Sequence, residues 1–278
     1  MPIGPQHLLI TARVAVFVGV VSALAAPLGG QRQSPGKAPA AAPKPAPRSE
    51  QKVPFHPGEK LEFDVGWSSY LTAGSATVVV QEKKPSYGST AYYIVAEGRP
   101  TPLLSKLYTL YYKVDTLLDV FSLLPQRGSV YSEEGKRHRM KVTLFDHPAK
   151  KASYEIQTGT VVKKEMRLPA YTQDGLSALY VLRSLALTPG DKFEMPVADN
   201  GNLYTMQISI GKPESIKTAM GDLQAIKVVP VVKAVSGEAP GRGLAIWFSA
   251  DSRHLPLRLE AQLAVGKFTL TLRQASGA

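Results

Sequence analysis

Cysteine is absent from the 278 residues. That excludes disulfides, thiolate metal sites, a cysteine nucleophile and attachment through a lipidated cysteine. Histidine is scarce: beyond His7 in the N-terminal segment, His56, His138, His147 and His254 are scattered, no two at the spacing a shared metal needs on a helix face or hairpin. A Gly-rich phosphate loop is missing, because "PGRGLA" has neither the length nor the Lys-Ser/Thr ending. No long Lys/Arg run interleaved with aromatics occurs either, so nucleic acid is not an expected partner. Nothing in the sequence calls for a cofactor.

What is present is ordinary globular composition, with 44% hydrophobic residues. The formal charge of +11 is uneven. Arg13, Arg32, Lys37, Lys44 and Arg48 face only Glu50 in the first fifty residues, which leaves 28 basic and 21 acidic residues beyond them. Such a surface suits an anionic lipid, polysaccharide or nucleic-acid partner by charge alone. The strongest local patch, "GKRHRMK" (135–141), reads as a solvated hairpin turn and strand, with a binding patch as the alternative.

Residues 1–25 carry a short region ending at Arg13, an apolar run over 14–24, and small residues Ala23 and Ala25 at cleavage spacing, the pattern of a secretory signal. An uncleaved anchor is the alternative, and cleavage leaves no integral membrane span. Residues 26–52 form a Pro/Ala/Lys-rich linker of extended, unpacked composition. Residues 53–278 read as a single mainly-β domain.

Within it, Leu61, Phe63, Val65 and Trp67 alternate with polar or small residues, the period of a strand with one buried face. A turn at Ala73 and Gly74 leads to a second strand containing Val78 and Val80. Further strands are expected at "STAYYIVAEGR", "LYTLYYKVDTLLD", "LPQRGSVYSEE", "HRMKVTLFDH", "KASYEIQ", "VVKKEMRL", "LYTMQISIGKPESIKT", "LQAIKVVPVVKA", "LAIWFSAD", "LPLRLEAQLA" and "GKFTLTLRQ". Pro100 and Pro102 break the chain between two of these, where "PTPLLSKLY" forms at most a short helical turn whose leucines need burial. The fold class is therefore an antiparallel curved sheet or incomplete β-barrel.

One stretch differs. Residues 175–187 predict a long helix, capped by Thr172 or Asp174 and ended by Pro189-Gly190. Leu176, Leu179, Leu182, Leu185, Tyr180 and Val181 make it apolar nearly all round, so it is expected to be buried across the sheet. Its "GLSAL" lacks the second glycine of a nucleophile elbow, which makes Ser177 a first-turn helix serine rather than a catalytic one. Arg183 is the only charge between Asp174 and Asp191. It must snorkel outward or pair with a carboxylate, or else meet an anionic head group at a cavity mouth. "VDTLLDVFSLLPQRGSV" and "FSADSRHLPLRLEA" echo one another: an Asp, then Leu-Pro, then Arg127 or Arg258 two residues on. This reads as a shared hairpin solution rather than a duplication.

The ordered motifs "GEKLEFDVGWSSYLTAGSATVVV", "LLPQR", "QDGLSALYVLRSLALTPGDKFEMPV", "ESIKTAMGDLQAIKVVPV" and "LAIWFSADSRHLPLRLEAQLAVGKFTLTL" resemble the exported bacterial family known as domain of unknown function 3108, over residues 54–273. The resemblance implies an envelope protein and carries over no activity. A looser similarity, through Asp251, Leu255, Pro256 and Arg258, is to periplasmic lipoprotein-localisation carriers, whose half-barrel holds acyl chains.

The expected function is non-enzymatic binding of an apolar or amphipathic, lipid-like ligand in the periplasm or another exported compartment. Leu176, Leu179, Tyr180, Arg183 and Trp67 are the candidate ligand residues, with no catalytic or metal residues. The alternatives are a structural or assembly factor that binds another envelope protein, and an envelope polysaccharide-acting enzyme.

Overall fold

The structure, a computed structural model, describes residues 48–277 except 69–70, 108, 159, 236–241 and 264–265. The expected signal, 1–25, and the linker as far as residue 47 lie outside the described residues. The last linker residues make contacts: Gln51 bonds the carbonyls of Val120 and Phe121, and Glu50 pairs with Lys83.

Fourteen strands form one antiparallel sheet among the described residues. In chain order they are β1 (Lys60–Trp67), β2 (Leu71–Ser86), β3 (Ser89–Pro100), β4 (Leu110–Asp119), β5 (Pro125–Glu134), β6 (Arg137–Asp146), β7 (Lys151–Gln157), β8 (Val161–Arg167), β9 (Lys192–Asp199), β10 (Asn202–Thr218), β11 (Gly221–Ala234), β12 (Arg242–Ser249), β13 (Pro256–Leu263) and β14 (Gly266–Ser276). Helix α1 (Pro102–Leu107) follows β3, and α2 (Gly175–Ser184) joins β8 to β9. Across the sheet the order runs from β8 down to β1, then β14 down to β9. Neighbours in space are neighbours in sequence except where β1 meets β14; β8 and β9, consecutive in sequence, are the two edges, and α2 carries the chain from one to the other.

Two expectations needed revision at the strand level. Ala73 and Gly74 lie inside β2 rather than in a turn. A side chain at Gly74 would run into the Arg99 carbonyl on β3, so this glycine marks a close approach of two backbones. Strand β9, "KFEMPVAD", was not anticipated. It is an edge strand, the place where Pro196, with no amide hydrogen to give a ladder, is tolerated.

Strands β8 and β9 share no ladder, so the sheet does not close into a barrel. Its two ends overlap instead. Val197 and Ala198 are consecutive on β9 and so face opposite sides. Val197 packs in a cluster with Ala178, Leu182, Met195, Ile208 and Phe248. Ala198 packs against Ala152 and Tyr154 of β7 and Met166 of β8. Strand β9 therefore lies between α2 and the far end of its own sheet. Lys141 of β6 bonds Asn200 at 2.6 Å and Lys164 of β8 bonds Asn202 at 3.0 Å, fastening the overlap with side chains alone.

Helix α2 has ten residues and stops at Ser184, short of the predicted 187. Leu185 is already extended, which lets Leu187 turn back into the cluster around Met195 before Pro189. Its Leu176 and Tyr180 belong to the main core with Phe55, Leu61, Phe63, Ile94, Leu257 and Leu272, whereas Ala178 and Leu182 belong to the second cluster. One helix thus supplies both.

The two echoed motifs hold its ends. Each is a hairpin turn, between β4 and β5 and between β12 and β13, with the same bulge beside its proline: Leu118 opposes Pro125 and Phe248 opposes Pro256. Each also puts a non-glycine residue in the left-handed region two positions before the proline, Leu123 at φ 52° and His254 at φ 41°. Gln173 Nε2 donates to the Leu123 carbonyl at 3.2 Å, and His254 Nδ1 lies 2.9 Å from the Arg183 carbonyl. These turns form the helix end of the sheet. At the opposite end, called here the α1 rim, lie Trp67, α1, the β5–β6 turn at Gly135, the start of β8 and the β9–β10 turn.

A candidate ligand chamber at the start of the buried helix

Asp174 caps α2. Its Oδ1 accepts the amides of Leu176 at 2.9 Å and Ser177 at 2.7 Å, while the Ser177 hydroxyl accepts the Asp174 amide at 2.9 Å. This capping box ties up Ser177 as a helix serine. The second carboxylate oxygen, Oδ2, accepts the Thr116 hydroxyl of β4 at 2.6 Å. Asp174 is buried, and burial pushes its carboxyl up to about 6 against the pull of the Ser177 and Leu176 amides and the Thr116 hydroxyl.

On the α1-rim side of this cap is a chamber of about 400 Å³. Its inner wall follows from register. Thr116 opposes Gly128, Gly128 opposes Thr143, and Thr143 opposes Tyr154, so these share one face. Val114, Ala96, Val130 and Lys141 stand on that face one step nearer the rim. Leu176 and Gly175 close the chamber from the helix, and Ala198, Asp199 and Asn200 from the overlapping edge. Asp115 and Ser129 point to the other face, where Arg127 bonds Asp115 at 2.9 Å and the Ser129 hydroxyl donates to it. Burial raises the Asp199 carboxyl against opposing pulls from Asn200 and Lys141. The chamber is an apolar wall with a few polar groups gathered at one edge, Lys141, Asp199 and Asn200.

Only part of the sequence-predicted set meets here. Leu176 lines the chamber. Leu179 is half-buried against the second cluster. Tyr180 is fully buried, with its ring edge-on to Phe55 at 4.7 Å, and burial raises its hydroxyl above the usual tyrosine range. Arg183 does not snorkel. Its guanidinium donates to both oxygens of Glu59, at 2.6 and 2.8 Å, and both side chains are fully buried. A ligand head group at Arg183 would have to displace Glu59, so the arginine is a fastener between α2 and the chain before β1. Trp67 lies apart, 38% exposed at the α1 rim and stacked on Phe268 at 6.2 Å.

Sequence reasoning took Asp174 only as a cap and missed Lys141 and Asp199 as chamber residues. Lys141 ends the basic stretch 135–141, a signal that was visible. Asp199 carried none, because its strand went unrecognised. A wider groove of about 800 Å³ at the helix end is lined by Tyr87, Asp119, Gln126 and His147. Its polar groups largely serve each other: Asp119 accepts from Ser89 and Gln126, and His147 Nε2 lies 2.8 Å from the Pro125 carbonyl. Among the described residues, no group of three or more His, Asp or Glu is placed to hold a metal ion. No described helix is long and apolar enough to cross a membrane.

Residues 62–273 match the family model described as protein of unknown function (DUF3108). The chain belongs to this family. No curated protein matches this DUF3108 chain. Among solved structures it is similar to the beta-barrel-like protein of domain of unknown function DUF1849 from Brucella abortus, at 10% identity and a TM-score of 0.49, covering 78% of this chain and 96% of that one. It is also similar to a candidate lipoprotein from Parabacteroides distasonis, at 10% identity and a TM-score of 0.33, covering 82% of this chain and 100% of the other. At such scores neither bears on the function of the DUF3108 chain.

Proposed function

We propose that this protein is an exported envelope protein that binds an apolar or amphipathic, lipid-like molecule without catalysing a reaction. The observation that carries the proposal is the chamber beside Leu176. Its volume of about 400 Å³ is within the range of small-molecule sites, roughly 300–1,000 Å³. Ala96, Val114, Val130 and Leu176 offer the apolar wall, and Lys141, Asp199 and Asn200 offer a polar edge for the ligand's head. The acid and hydroxyl beside the chamber are occupied: Asp174 and Ser177 cap a helix and each other. The N-terminal signal pattern supports export.

Native mass spectrometry of protein purified from its own envelope tests the reading. A bound small apolar mass is expected with the wild type and its loss with Val114→Trp, which fills the chamber. Wild-type protein that carries no such mass, and fails to take up an apolar fluorescent probe that Val114→Trp would exclude, would overturn it.

A further inference from the structure

The α1 rim exposes apolar side chains that a water-facing edge has no use for. Leu103 on α1 is 71% exposed although its sequence context called for burial, and Leu110, Val161, Val162 and Val235 are exposed on the same end of β4, β8 and β11. Trp67 sits among them at the end of β1, the residue type favoured where apolar and polar media meet. Interleaved with them around the rim are exposed cations: Lys106 on α1, Lys136 and Arg137 in the β5–β6 turn, and Lys233 near the end of β11. None of these four has an acidic partner among the described residues. The described glutamates of the same rim are engaged elsewhere, Glu97 by Arg99, Glu133 by the Tyr131 hydroxyl, Glu134 by Arg139, Glu155 by Lys163 and Glu260 by Lys267.

Apolar side chains ringed by unpaired cations match an anionic bilayer surface, where the first enter the acyl boundary and the second meet head-group phosphates. We propose that the α1 rim docks on anionic lipid membranes, with Leu103 and Trp67 entering the interface and Lys106, Lys136, Arg137 and Lys233 contacting the head groups. A protein partner would meet the same apolar surface, but the excess of one charge sign around it favours lipid. The inference is independent of what the chamber holds. Asn200, which lines the chamber, stands on this same rim, so docking would bring the chamber's polar edge toward the membrane.

The two tryptophans give a local readout, because Trp67 is on the rim and Trp247 is buried in the main core. The full chain is mixed with vesicles of brominated phosphatidylglycerol or brominated phosphatidylcholine, and tryptophan quenching is followed. Quenching by the anionic vesicles is expected, absent in Trp67→Phe. The charge-reversed pair Lys136→Glu/Arg137→Glu should weaken it about tenfold or more. Leu103→Asp should weaken quenching as well, while Tyr87→Asp at the helix end should not. Vesicle binding without Trp67 quenching would overturn the proposal, since the chain would then be held by another segment. Equal quenching by the neutral lipid, undiminished quenching in the variants, or a rim that crosslinks to an envelope protein without ever being quenched would overturn it too.

Discussion

Asp174 shows how much one side chain settles. Its carboxylate fixes the start of α2 through two amides and fixes α2 to β4 through Thr116, yet it is buried deeply enough to be raised from 3.8 to about 6. A carboxyl whose folded value lies above its unfolded one favours the fold while it is protonated. That contribution is complete below the unfolded value and is lost as pH rises through the folded one. The difference amounts to about 3 kcal/mol withdrawn across this window. Asparagine is an equally good cap, so Asp174→Asn keeps the two amide bonds and removes the charge. Its melting temperature should equal or exceed that of the wild type at about pH 7.5, and the gap should close near pH 4. Melting curves that stay parallel from acid to neutral pH would show that Asp174 does not titrate in the folded protein. The cap was legible in the sequence as one of two candidates, Thr172 or Asp174, because a polar residue just before an apolar run is a local signal; the Thr172 hydroxyl bonds the Pro169 carbonyl instead. The buried pair of Arg183 and Glu59 was legible only by half. The burden of a lone arginine among leucines is local, but its partner stands 124 residues away and nothing in "HPGEKLEF" announces it.

At the scale of elements, most strands could be read because one face is buried and the other wet, which imposes a period of two on the sequence. The exceptions have physical reasons. Gly74 reads as a turn but serves a close approach between β2 and β3. Strand β9 carries Pro196 and is covered on both faces, Val197 toward α2 and Ala198 toward β7, so it lacks the alternation that marks the others. Where it turns into β10, Gly201 has φ 71° and its missing side chain leaves room for Tyr154; a Cβ there would come within 2.7 Å of the ring. Gly201→Ala should therefore destabilise the protein by about 1–3 kcal/mol, from backbone strain and from the ring together. Removing the ring separates the two. In a Tyr154→Ala background the same substitution should cost measurably less in urea denaturation, the remainder being the strain of a non-glycine residue at positive φ. Strictly additive costs would mean that the overlap tolerates a shifted Tyr154 and is looser than its packing suggests.

Over the whole molecule, the open sheet and its overlap predict unequal stability along one continuous ladder. The middle of the sheet, from β3 through β1 and β14 to β11, packs on α2 through two clusters that share that helix, so it has no cheap way to open in part. The β6–β8 end is different. Met166 is the only residue of β8 that is buried, and beyond the β5–β6 ladder this end meets the rest through a small cluster around Tyr154 and Ala198 and through two Lys–Asn hydrogen bonds. Regions with few buried contacts open locally at a free energy below the global one. Amides of β8 should consequently exchange with deuterium at least about 100-fold faster than those of β2 and β11, which should exchange only on global unfolding. Tyr154→Ala should widen that difference by stripping the overlap of its largest side chain, while leaving β2 and β11 tied to the global rate. Chamber walls on β6 and β7 belong to this mobile end, and those on β3, β4 and α2 to the fixed one. Local opening of β6–β8 would then uncover the chamber without disturbing Leu176 or Val114, and a molecule held there should slow β8 exchange selectively. If β8 instead exchanged at the same rate as β2, the sheet would behave as a single cooperative body, and a ligand would have to reach the chamber from the α1 rim.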